Sequence, residues 1–426
     1  MYFLTTAKLE SLSMRYIIVL AIALLLWNCS RTPRTSNRQD TSLSGEIPFA
    51  FKNKTLDNDS TIRVFMNIEI KRAPEGYTKG QFLSDYSFSY TVVQEYASKE
   101  VLASRNLTLT DETVEKIAPN TFSLYFDVYK LAIPSAVLWL QVSDNRTGQK
   151  IRNDVVLRFN TNKLSDEFAV FGQAGVQPYV KNYFYTTDTL QIKDLKNTAK
   201  TMTVTQYIHD FDPALSPMAT AGKNVAKTLE TDTVFALSTN QPFVLAQPGL
   251  YFFQDDTAAN AGIGLLIVDK RFPRMTRPEE LVEPLIYIST NNEIKELSTT
   301  NAPKRTLDTY WLRLTNSNES KARRTIRAYY RRVTQANELF TTYKEGWKTD
   351  MGMVYIVFGR PDQVARSKDK EVWTYTQNSN FSEINFTFVR RPNQFVENHY
   401  ELMRYVEYEP IWYPTVEEWR TGIVER

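Results

Sequence analysis

The feature that most constrains this sequence is an alternation of apolar and polar residues at period two, returning in one short segment after another. It is plain in Thr61–Lys71 (TIRVFMNIEIK), and similar segments start at Asp85, Asn120, Ala136 and Asn153. Successive side chains of a strand point to opposite faces, so such a segment buries one face and must pair with others that do the same. Asp144-Asn145-Arg146-Thr147-Gly148, between two of them, predicts a hairpin turn. Five strands in one short stretch predict a β-sandwich over 61–160. A second set, starting at Glu167, Val180, Leu190, Met202, Thr233, Tyr251 and Ile263, predicts a second sandwich over 165–290, punctuated by Pro213, Pro217, Pro242 and Pro248-Gly249. The 24 Tyr and 24 Phe suit half-buried strands.

After Pro303 the spacing becomes helical. Ile326, Tyr330, Val333, Asn337 and Phe340 fall on one side of a wheel, with Arg324, Arg327 and Arg331 nearly opposite. This predicts one amphipathic helix whose basic row is a solvated face. Strands are expected again at Met353, Glu371, Asn385 and Tyr400, with Gly359-Arg360-Pro361-Asp362 as a turn, and the aromatic tail from Glu409 is expected to pack across a surface. The expected fold is mainly β: two sandwich-like modules, then an α+β domain over 295–426 built from the helix and a small antiparallel sheet.

The chain of 426 residues has one cysteine, which excludes an internal disulfide and a Cys-rich metal site. Met14-Arg15 precedes a 12-residue apolar run, Tyr16–Trp27. That run is short for a bilayer span and fits the apolar part of a secretory signal over 1–28, with translation starting at Met14. Leu26-Trp27-Asn28-Cys29 resembles a bacterial lipobox, where cleavage leaves the cysteine N-terminal and acylated. Cys29 is thus the expected lipidation site, residues 29–60 a flexible polar tether, and the membrane a partner through the lipid. The expected location is the periplasmic face of the outer membrane.

Against 51 Lys+Arg stand 48 Asp+Glu, a net charge of +3 that points to no nucleic-acid partner. His209 and His399 are the only histidines, too few for a multi-histidine metal site, so neither a metal nor a cofactor is expected. No nucleophile elbow, glycine-rich phosphate loop or zincin motif occurs. The carboxylate pairs a glycosidase would need are limited to Asp255-Asp256, Glu279-Glu280, Asp350 with Asp362, and Glu417-Glu418, each of an ordinary turn or helix-end type. No catalytic residue is assigned.

One motif remains. Gly346-Trp347-Lys348-Thr349-Asp350 is preceded by Tyr329-Tyr330-Arg331-Arg332-Val333, with Ala336-Asn337 and Phe340. It is followed by Gly352–Asp362 (GMVYIVFGRPD) and Glu371-Val372-Trp373. This set resembles the GWxTD-domain family of envelope proteins, found mainly in Bacteroidota, over 305–390 and more loosely back to 250. Met351 departs from the pattern, since members often carry a basic residue there. The resemblance implies a lipoprotein or secreted protein with β-sandwich modules ahead of the named domain, and it brings no established enzymatic activity with it. Two readings of the motif stand. As a structural corner, Gly346 ends the helix in a left-handed conformation, Trp347 folds onto the last turn, and Thr349 and Asp350 bond turn amides. As a pocket, Trp347 stacks on a ligand and Asp350 gives a polar contact. Gly359, Pro361 and Asp362 complete the motif set. The expected function is non-catalytic: an envelope lipoprotein that binds a protein partner in an outer-membrane assembly or secretion complex. The alternative is a glycan-binding protein or hydrolase using exposed Trp412 and Tyr413.

Overall fold

The computed structural model describes residues 49–160, 163–173, 175–219, 228–376 and 383–423. The expected signal segment, Cys29 and the expected tether up to residue 48 lie outside the described residues. The first module contains β1 (Phe49–Asn58), β2 (Thr61–Ile70), α1 (Lys79–Asp85), β3 (Tyr86–Val93), β4 (Val101–Leu107), β5 (Val114–Ala118), β6 (Thr121–Tyr129), β7 (Ser135–Asp144) and β8 (Lys150–Arg158). Two antiparallel sheets, ordered β1-β2-β6-β5 and β4-β3-β7-β8, enclose one core. Ile62, Val64, Met66 and Ile68 of one sheet meet Phe88, Tyr90, Leu138 and Leu140 of the other, as the alternation requires. Phe82 of α1 closes one end by stacking on Phe122, ring centroids 4.3 Å apart. The tether expected to reach residue 60 ends sooner, because Phe49–Asn58 pairs with β2 along its whole length. An edge strand shows polar residues to water, so Lys52 and Asn53 disguise the buried Phe49 and Leu56.

The second module holds α2 (Leu164–Glu167), β9 (Ala169–Gly172), β10 (Tyr183–Tyr185), β11 (Leu190–Lys193), β12 (Thr201–Tyr207), β13 (Thr233–Ser238), β14 (Gly249–Gln254) and β15 (Ile263–Val268). A five-stranded sheet, β10-β15-β14-β12-β13, shares its core with the pair β11-β9 through Val204, Phe253 and Leu265 on one side and Val170 and Ile192 on the other. Leu56 and Phe65, on the outer face of the first sandwich, pack with Ala169 and Phe171 of β9.

The last module contains α3 (Pro278–Val282), α4 (Asn291–Ser298), α5 (Pro303–Leu314), α6 (Glu319–Phe340), α7 (Asp350–Phe358), β16 (Gln363–Arg366), β17 (Lys370–Tyr375), β18 (Ile384–Arg390), β19 (Tyr400–Leu402) and α8 (Glu409–Thr421). Its strands form one antiparallel sheet in the order β16-β17-β18-β19. The core begins at Val282, ahead of the expected boundary at 295, because α3 and the turn after it bury Val282, Leu285, Tyr287 and Ile288. The strand expected at Met353 is the helix α7. It is buried on all sides, so it lacks the polar face that tells helix from strand. The tail from Glu409 is also helical. On α6 the buried face is Tyr329, Arg332, Val333, Ala336 and Asn337, turned slightly from the expected stripe, while Arg324, Arg327 and Arg331 are exposed as expected. Among the described residues no helix is long and apolar enough to cross a membrane.

Candidate functional site: the Gly-Trp-Lys-Thr-Asp corner

The helix α6 stops at Phe340, six positions before Gly346, so Gly346 does not terminate it. Gly346 opens a short 3-10 turn, Gly346–Lys348, and is needed for close approach: a Cβ there would sit 2.0 Å from the Ala336 carbonyl oxygen. Gly352 is bound by the same contact from the other side, its Cβ position lying 1.8 Å from the Gly346 oxygen. The turn is laced back to α6 by side chains. The Asn337 Oδ1 accepts the Trp347 N–H at 3.0 Å while its Nδ2 donates to the Pro273 carbonyl at 3.0 Å. The Thr341 hydroxyl accepts the Gly346 N–H at 3.0 Å and donates to the Asn337 carbonyl at 2.6 Å.

Trp347 is 1% exposed. Its ring meets Tyr287 edge-on at 6.2 Å, and the Tyr287 hydroxyl donates to the Trp347 carbonyl at 2.8 Å. Burial pushes the Tyr287 phenol well above its ordinary pKa. Thr349 caps α7: its hydroxyl accepts the Gly352 N–H at 3.0 Å and donates to the Gly346 carbonyl at 2.7 Å. Asp350 reaches outward from the first turn of α7, its two oxygens accepting the Leu402 N–H and the Arg404 guanidinium, each at 2.6 Å. The helix is thereby pinned to β19. At its other end Gly359, with φ of 82°, reverses the chain. The buried Arg332 donates there to the Ile356 and Val357 carbonyls at 3.1 and 2.9 Å. Pro361 is half-buried in the following loop, and Asp362 accepts the Thr376 N–H and hydroxyl, both at 2.7 Å.

A strap from the second module crosses this corner. Between β12 and β13, Asp210 pairs with Lys348, which also pairs with Glu345 at 3.2 Å. Burial opposes the Lys348 charge, yet Glu345 and Asp210 outweigh it and hold the amine above its ordinary pKa. The Lys344 amine donates to the Asp212 carbonyl at 3.0 Å, and burial brings its pKa down to about 8. Burial pushes the nearby Glu283 carboxyl up.

The structure therefore gathers Gly346, Trp347, Thr349 and Asp350 at one corner and sets Gly359, Pro361 and Asp362 at the far end of α7. Trp347 and Asp350 line neither cavity described for the molecule. Asp350 and Asp362 bracket a helix and face different partners. Asp255 pairs with Lys200 at 2.6 Å, Glu280 caps α3, and Glu417 lies 3.8 Å from Arg420, so one carboxylate of each adjacent pair is engaged within the fold. No group of three or more metal-ligating side chains occurs among the described residues. Trp412, expected to be exposed, is buried against Phe358 at 5.7 Å because the tail is a helix, whereas Tyr413 is 56% exposed. Sequence reasoning missed Arg332, Arg404 and the strap. An asparagine on the apolar face of α6 was the one local sign that the corner needed a polar anchor.

A comparison with curated proteins finds no match. Among solved structures the chain is similar to dimeric latent PorU from Porphyromonas gingivalis, at 12% identity and a TM-score of 0.23. That likeness covers 54% of this chain and 21% of the other, so the chain spans about a fifth of that protein's length. The family model for the GWxTD domain matches residues 249–421, which takes in β14, β15 and the whole corner. The chain thus carries a GWxTD domain over residues 249–421.

Proposed function

We propose that the chain is a non-catalytic lipoprotein, anchored through Cys29 at the periplasmic face of the outer membrane, where it binds another envelope protein of an assembly or secretion complex. The observation that carries this reading is how the motif spends its polar groups. Asn337, Thr341, Lys348, Thr349 and Asp350 each bond within the fold, and Lys348 ties in the strap from the second module. Such a corner serves to hold modules at a set angle, which suits a scaffold that presents surfaces. Exposed Tyr405, Val406 and Tyr413 give the C-terminal module an apolar surface of the kind interfaces use.

Two experiments test the two halves of the proposal. Cys29→Ala is expected to yield a form without acyl chains, and an unchanged lipid-labelled product overturns the anchor. Purification of the full chain from detergent-solubilised membranes is expected to bring a stoichiometric protein that Tyr413→Asp releases. Recovery of the chain alone, after crosslinking in cells, overturns the scaffold reading.

A further inference from the structure

A cleft of about 600 Å³ opens where the three modules meet. Parts of β1 and β8, residues 261–265 ahead of and within β15, and residues 393–400 wall it. Its acids already hold the modules together. Glu397 pairs with Arg158 of β8 and accepts the Ser165 hydroxyl at 3.1 Å, while Lys54 donates to the Ser165 carbonyl at 2.7 Å. Also in the lining, Arg366 pairs with Asp154 of β8 and with Glu371, each at 3.1 Å, and Asp154 accepts the Tyr96 hydroxyl at 2.7 Å. These pairs fix the cleft's shape without a ligand.

What is left over faces the opening. The lining carries seven Lys and Arg side chains against three carboxylates, and two of the cations, Lys163 and Lys368, are exposed and form no ion pair among the described residues. Three exposed side-chain amides, Asn53, Gln394 and Asn398, make no hydrogen bond among the described residues. The Thr342 hydroxyl is buried without a partner. Tyr179, 40% exposed, and half-buried Tyr400 add ring surface. An amide donates and accepts side by side, which matches neighbouring sugar hydroxyls, and a tyrosine ring covers the C–H face of a sugar. An extended peptide would need an open strand edge. The edge of β15 that faces the cleft is covered, its Gly264 N–H donating to the Phe395 carbonyl at 3.0 Å.

We propose that this cleft binds an acidic glycan chain. Sugar rings rest on Tyr179 and Tyr400, hydroxyls bond the three amides, and carboxylates meet Lys163 and Lys368. The site is independent of the protein-partner reading above, and either can fail alone. The test is native affinity electrophoresis of the full-length chain in neutral detergent, through gels holding polygalacturonate, dextran or polyglutamate. Polygalacturonate is expected to retard the protein strongly and the other two weakly. The double variant Lys163→Gln, Lys368→Gln, both positions exposed, is expected to weaken polygalacturonate binding about tenfold, the loss of a charge-assisted hydrogen bond. Asn398→Ala is expected to weaken it less. Equal retardation by polyglutamate, an unaltered double variant, or no retardation at all overturns the proposal.

Discussion

The first sandwich and the C-terminal module bury aromatic rings alike, yet they secure them by different means. Between the sandwich sheets the buried set is apolar throughout, and ion pairs such as Arg63–Asp127 and Lys130–Asp57 sit on half-exposed outer faces. In the C-terminal module Arg332, Asn337, Thr341, Lys348 and Asp350 are themselves buried, each aimed at a named partner. Two facing sheets need only matching volume, since their backbones are already bonded. A corner between helices and a sheet leaves backbone groups and angles to be fixed one by one. Its stability should therefore hang on single polar atoms as well as on area.

The largest effect is expected at Trp347. Removing its ring in Trp347→Ala should cost about 3–5 kcal/mol and melt the C-terminal module early. Thermal unfolding of the full chain with hydrogen exchange read by mass spectrometry locates the loss, and an unchanged melting temperature sinks the corner model. Leu138→Ala, in the sandwich core, should cost about 2–4 kcal/mol with exchange quickening over 49–159 only. If exchange rises equally at the corner, the two regions are one cooperative unit and the contrast breaks.

Asp350→Ala sharpens the contrast, because it strands the Arg404 guanidinium with only the Leu402 carbonyl at 3.2 Å. A cost of about 2–3 kcal/mol is expected, against at most about 1 kcal/mol for Arg63→Ala in the half-exposed pair of the sandwich. Equal losses in urea unfolding would erase the distinction. A smaller effect follows pH. The hydrogen bond from Arg420 holds the Glu293 carboxyl at about 2, below the ordinary 4.5 of the unfolded chain. The pair's contribution is thus complete above pH 4.5 and fades as pH falls towards 2. In urea titrations Glu293→Gln should flatten that fall, and a variant as acid-sensitive as wild type refutes the assignment. Least of all, Tyr413→Ser on the exposed face of α8 should shift stability by no more than about 0.5 kcal/mol.

Of the sandwich strands, β2, β3, β6, β7 and β8 were legible from their alternation, whereas β1, β4 and β5 were not. Helix α7 was not, for Met353–Phe358 is dry on every side and carries no period to read. The role of Gly346 was misjudged for a related reason: a glycine's need for closeness lies in the Ala336 carbonyl that crowds it, and no neighbour in sequence reveals that. Thr349, expected to bond a turn amide, accepts the Gly352 N–H three positions on, a contact local in sequence. Asp350 bonds Arg404 across 54 positions, a distance at which nothing in either residue's surroundings announces the other. The cleft was invisible in the sequence altogether, because its walls are drawn from Phe51 at one end and Tyr400 at the other.

The pair Arg158–Glu397 joins positions 239 apart in the chain. The first sandwich, continuous from Phe49 to Phe159, has all its strands early, while the loop that carries Glu397 arrives almost last. A chain that emerges from its N-terminus can therefore settle its first module long before the three-way junction exists, and closure of so long a loop is a late step. Until then Arg158 lacks the acid that pairs with it. The junction thus reports on completeness: a polypeptide stopped short of residue 397 keeps all the strands of the first sandwich and lacks the Glu397–Tyr400 part of the cleft wall.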